Sequence, residues 1–103
     1  MAEINSLNVV DADNTSRFPE NQLPSTVNNG ARALEGIIAR WDKDTNASLS
    51  AGGSANAITI SANQTLSAYY DGLVIAFEAG ATNTGAVTIN VDSVGVKSLK
   101  KNV

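Results

Sequence analysis

The sequence predicts an α+β protein made of an extended N-terminal arm, one coiled-coil-like helix and a small antiparallel, sandwich-like β domain. Three observations lead there. Between Ser25 and Asp44 the large apolar residues fall at Val27, Leu34, Ile38 and Trp41 with Ala31 between, in steps of four, three, four and three. That spacing keeps one stripe of an α-helix turned toward a neighbour. From Ile58 onward apolar and polar residues alternate between clusters of turn residues, the pattern of half-buried strands. Ahead of Ser25 neither period is sustained.

Residues 1–24 hold Ile4, Leu7, Val9 and Val10, then an Asp/Asn/Thr/Ser-rich stretch, Phe18, and prolines at 19 and 24. Proline and the residue before it favour extended backbone, so this segment is expected to be an arm. Such an arm either stays disordered or orders by laying its backbone along the sheet edge of another protein.

The helix is expected over 25–46, with the hydroxyl of Ser25 or Thr26 capping its first turn. Gly30 and Gly36 inside it each cost about 1 kcal/mol of helix propensity relative to alanine. In heptad terms Val27, Leu34 and Trp41 take d, Ala31 and Ile38 take a, and Gly30 and Ile37 flank the seam at g. Ile37 widens the stripe, which suits three helices better than two. A helix of about 17 residues spans only about 26 Å and is marginal alone in water. Its stripe must cover either copies of itself or its own β domain, and the pattern leaves both open.

Residues 47–55, with Ser48, Gly52, Gly53 and Ser54, are a polar, glycine-rich hinge. The β domain then runs over 56–103. Ile58 and Ile60 alternate with Thr59 and Ser61, Leu73 to Phe77 is wholly apolar, and Val87, Ile89 and Val91 alternate with Thr88 and Asn90. Val96 to Leu99 opens a further strand. Few, short strands leave unpaired edges that a longer chain or a partner is expected to cover.

Chemistry is sparse. The 103 residues contain no histidine and no cysteine, which removes the usual neutral-pH acid and base, the usual zinc ligands, the thiol nucleophile and disulfides. A net charge of −3 with seven scattered basic residues offers no footprint for nucleic acid, and no apolar run is long enough for membrane insertion. Asp42, Asp44 and Asn46 imitate the start of a calcium loop, but Ala47 and Gly53 stand where glycine and a bidentate glutamate belong, so solvated carboxylates at a helix end are expected. Asp71, Glu78 and Asp92 lie near predicted turns with nothing to gather them into a glycosidase pair. No catalytic residue, cofactor site or metal site is expected. Tyr69 and Tyr70, ahead of Asp71-Gly72, could meet a sugar, although one ring packing on the sheet is the simpler reading.

The stretch Arg17-Phe18-Pro19-Glu20-Asn21-Gln22-Leu23-Pro24-Ser25-Thr26-Val27-Asn28-Asn29-Gly30-Ala31-Arg32-Ala33-Leu34-Glu35-Gly36, with Ile38-Ala39-Arg40-Trp41 and Asp44-Thr45-Asn46 after it, resembles the N-terminal region of bacteriophage tail-fibre and host-specificity proteins. A weaker likeness continues through Ala62 to Leu73 and Thr82 to Val91. The resemblance implies a structural virion protein, made in the bacterial cytoplasm and carried in the tail, that forms a homotrimeric fibre. Residues 1–24 would then dock on a tail, adaptor or baseplate protein through Ile4, Leu7, Val9, Val10 and Phe18. Val27, Ala31, Leu34, Ile38 and Trp41 would form a three-helix neck, and residues 56–103 would begin the shaft. Distal parts of such fibres meet host surface polysaccharide. The alternative expectation is a carbohydrate-binding adhesin module, with Tyr69, Tyr70 and nearby Asn and Asp side chains meeting host polysaccharide.

Overall fold

The computed structural model describes residues 2–101, an α+β protein with one α-helix and two small sheets among them. Helix α1 spans Pro24–Thr45. The strands are β1 (Leu49–Ser50), β2 (Gly52–Gly53), β3 (Ala57–Ile60), β4 (Phe77–Glu78), β5 (Val87–Val91) and β6 (Val96–Leu99). The molecule measures 58 × 22 × 22 Å, and α1, about 33 Å long at 1.5 Å per residue, can lie only along the long axis.

Proline begins α1 because its missing N–H would be unsatisfied in the first turn anyway. Leu23 occupies the cap position, so the expected hydroxyl cap is absent: Thr26 Oγ1 instead donates back to the Leu23 carbonyl at 2.8 Å. The arm also departs from an extended form. It makes 3₁₀ turns at Ile4–Ser6 and Asp11–Asp13 and runs back beside α1, with residue 3 near Arg40 and residue 17 near Gly30. The reversal that allows this lies at Asn21, whose φ of 59° is a left-handed value that asparagine tolerates.

Both sheets contain parallel pairing, which corrects the antiparallel domain expected from alternation. One has two strands, β1 beside β4, in parallel; the other has the order β2-β3-β5-β6. Within it β3 and β5 are parallel, with Ile58 beside Ile89 and Ile60 beside Val91, while β2 and β6 add antiparallel edges. Residues 61–86 between β3 and β5 are long enough to return the chain to its starting end, as parallel pairing requires. Asp92 and Ser93, with φ of 51° and 58°, turn β5 into β6 in the manner of a primed hairpin. The glycine-rich stretch expected as a hinge carries β1 and β2. Of the apolar run Leu73 to Phe77 only Phe77 joins a ladder; the Ala76 N–H donates instead to the Asp44 carbonyl at 2.9 Å.

The core is thin. Among the described residues the buried aliphatics are Ile37, Ile60 and Val91. The accessible surface is 7215 Å², about 1,700 Å² more than the roughly 5,500 Å² of a compact monomer of this mass. A radius of gyration of 17.1 Å exceeds the roughly 13 Å of a globule of this length.

Candidate functional site

Two faces of α1, side by side, organise the molecule. Gly30, Ile37 and Asp44, seven residues apart, are its buried positions. Residues at this spacing drift only about 20° per step around a straight helix, so they line one narrow strip. The arm covers its N-terminal part. A side chain at Gly30 would collide with the Arg17 carbonyl oxygen and press on the Phe18 ring, so glycine is what lets the arm approach.

At the C-terminal end of the strip Asp44 is fully buried, 0% exposed, and holds the β half. Its Oδ1 accepts from the Asn63 backbone N–H at 2.8 Å and from Asn63 Nδ2 at 2.9 Å. Its Oδ2 accepts from the Gln64 N–H at 2.9 Å and from Gln64 Nε2 at 3.1 Å. With its own carbonyl bonded to Ala76, this one residue makes five hydrogen bonds to the β half. Buried carboxylates persist only when so satisfied. The solvated helix-end carboxylate expected from the sequence is therefore corrected at Asp44, while Asp42 stays exposed.

Glu3 completes the joint. It is buried; Oε1 pairs with Arg40 Nε at 2.6 Å, Oε2 accepts from the Thr65 N–H, and Arg40 Nη2 also donates to the Ala2 carbonyl at 2.9 Å. Three consecutive amides, those of residues 63, 64 and 65, thus point at two carboxylates from two other segments. Arm, helix and β half are locked at one place.

Beside the covered strip runs the predicted seam. Ala31 and Leu34 are half-buried, whereas Val27, Ile38 and Trp41 keep 43%, 50% and 45% of their surface in water. All five share one helix face, offset from Gly30, Ile37 and Asp44. A cleft of about 270 Å³ lined by Leu7, Phe18 and Leu34 separates this face from the arm.

The expected docking residues divide. Ile4 and Leu7 are half-buried, Phe18 lies beside Gly30 yet stays exposed, and Val9 and Val10 face solvent. Tyr69 is engaged in structure: its hydroxyl donates to the Gly95 carbonyl at 2.5 Å and accepts from the Val91 N–H at 3.0 Å, tying β5 to the hairpin that follows. Asp92 Oδ1 accepts from the Ala62 N–H at 2.8 Å, and Asp71 and Glu78 are exposed. Among the described residues no cluster of three His, Cys, Asp or Glu side chains suited to a metal ion forms, and no helix is long and apolar enough to cross a membrane.

The sequence reading missed Asp44 and Glu3. A signal for the first was present in the heptad spacing Gly30, Ile37, Asp44; Glu3, in an aperiodic segment 37 residues from its Arg40 partner, had none. Protein-family models, curated proteins and solved structures, compared with this chain, give no match, so its function must be argued from the two helix faces and the arm.

Proposed function

We propose that this chain is the tail-attachment part of a trimeric bacteriophage tail fibre, a structural virion protein that works through self-association and a docking arm rather than through catalysis. The observation that carries the reading is the bare stripe Val27, Ile38 and Trp41 beside a strip of the same helix that the chain covers for itself. A helix whose own domain needed its seam would have buried that seam. Here the arm and the β half occupy the neighbouring face and leave the seam to other copies.

Magnitudes support this. Val27, Ile38 and Trp41 each keep about half of their surface in water, and completing their burial would contribute about 1 kcal/mol apiece, roughly half of the full transfer value. The excess surface of about 1,700 Å² on one chain is about twice the roughly 800 Å² that each partner of a standard specific interface buries. The elongated shape also suits one segment of a fibre. Three-fold symmetry comes from the resemblance alone, since Ile37, which would widen the stripe, is buried within the protomer; the arm then belongs on the outside of a three-helix neck, within reach of a tail protein.

The test is the solution mass by light scattering. A mass near three times 10.6 kDa is expected, and Leu34→Asp or Ile38→Asp should convert it to a monomer because three carboxylates would meet in an apolar seam. An Ile38→Asp protein that kept the trimer mass would overturn the seam. Wild-type protein that failed to bind tails lacking the fibre would overturn the attachment role.

A further inference from the structure

We infer that Val9 and Val10 form a rigid apolar knob that inserts by its side chains into an apolar socket rimmed with lysine or arginine on the tail protein that receives the arm. The inference rests on the tail-attachment reading and adds to it the mode of docking and the chemistry of the partner.

The loop Asn8–Asn14 is stapled by its two asparagines. Asn14 Oδ1 accepts from the Asn8 N–H at 2.8 Å, and Asn14 Nδ2 donates to the carbonyls of Asn8 at 2.9 Å and Val10 at 3.1 Å. Asn8 Oδ1 accepts from the Val10 N–H at 2.9 Å. The 3₁₀ turn adds bonds from Asp13 N–H to the Val10 carbonyl and from Asn14 N–H to the Asp11 carbonyl, each at 3.1 Å. Backbone donors of 8, 10, 13 and 14 and acceptors of 8, 10 and 11 are spent inside the loop. Strand addition needs these groups free at alternate residues of an extended segment, so it would require melting the loop first.

What the loop presents instead is side chains. Val9 is 98% exposed and Val10 53%, on a backbone already held in place. A preorganised apolar side chain binds without the cost of ordering a flexible segment. Asp11 and Asp13 follow directly, both exposed and neither in an ion pair among the described residues. Their carboxylates beside the valines specify a basic rim, since opposite charge around an apolar contact sets orientation and encounter rate.

The experiment titrates the purified full chain onto tail particles prepared from a phage deleted for the fibre. Wild-type binding is the control for the attachment reading, and its absence would overturn that reading together with the knob. Given wild-type binding, Val9→Ser/Val10→Ser should weaken it by at least about thirty-fold, the loss expected for two valines no longer transferred from water. Asn14→Ala should weaken it about ten-fold by loosening the loop, and Asp11→Asn/Asp13→Asn should weaken it several-fold and flatten its salt dependence. Binding of the double serine variant within about three-fold of wild type would overturn the knob, as would Asn14→Ala binding unchanged or tighter, the result strand addition requires. A drop in the solution mass of the double serine variant would also overturn it, by showing that a second copy covers the valines.

Discussion

Replacing Asp44 should separate the helix from the β half, and the structure sets the size of the effect. In Asp44→Ala four donors lose their acceptor. Those of Asn63 lie near solvent and regain water, whereas the backbone and side-chain N–H groups of Gln64 are buried, and each orphaned donor of that kind costs about 1–3 kcal/mol. The expected loss is therefore about 2–6 kcal/mol, against a total of about 5 kcal/mol for a domain at the low end of the usual range, where three buried aliphatics place this one. Asp44→Asn keeps the volume and one acceptor oxygen but turns an NH₂ toward two donors, for a loss of about 2–3 kcal/mol. Urea unfolding at fixed protomer concentration, read by Trp41 fluorescence and far-ultraviolet circular dichroism, measures both variants. Hydrogen exchange at the amides of 63 and 64 localises the change. An Asp44→Asn protein within about 0.5 kcal/mol of wild type, with unaltered exchange at those two amides, would refute the joint.

Gly30→Ala and Gly36→Ala form a pair with unequal expected effects. Both should raise helix propensity by about 1 kcal/mol, but a Cβ at 30 collides with the Arg17 backbone, whereas one at 36 meets Arg40 Nη1 at 2.9 Å, on the guanidinium whose other nitrogens hold Glu3 and the Ala2 carbonyl. Gly30→Ala should detach the arm and speed proteolysis between residues 2 and 20, and Gly36→Ala should disturb only the Glu3 end of the arm and cost less; equal arm protection in both would count against the packing described. Tyr69→Phe should lower stability by about 1–3 kcal/mol, since the Val91 N–H and Gly95 carbonyl lose their shared partner, and leave any binding of host polysaccharide unchanged. A loss of polysaccharide binding without loss of stability would revive the adhesin reading.

How much was legible depends on the range of the interaction behind each feature. The helix was readable to within a residue at each end because its period is local, and strands β3, β5 and β6 were readable from their local residue pattern. Alternation carries no direction, so the parallel pairing of β3 with β5 was not. Leu73 to Phe77 reads as a buried strand by residue type, yet Asp44 captures the Ala76 amide and keeps most of the run out of a ladder. Ser25 and Thr26 have capping chemistry, but proline starts the helix one residue earlier.

By itself the sequence determined that one amphipathic helix precedes a β half, that Val27, Ala31, Leu34, Ile38 and Trp41 share a face, and that histidine and cysteine chemistry is absent, because period and composition are properties of neighbouring residues. Only the tertiary structure decided which helix face the chain covers, that Gly30 admits the arm, and that Asp44 and Glu3 meet three successive amides of residues 63–65. Those contacts join segments 13 to 62 residues apart. A carboxylate in sequence looks the same whether water or a buried row of N–H groups will receive it, and the fold alone supplies the second.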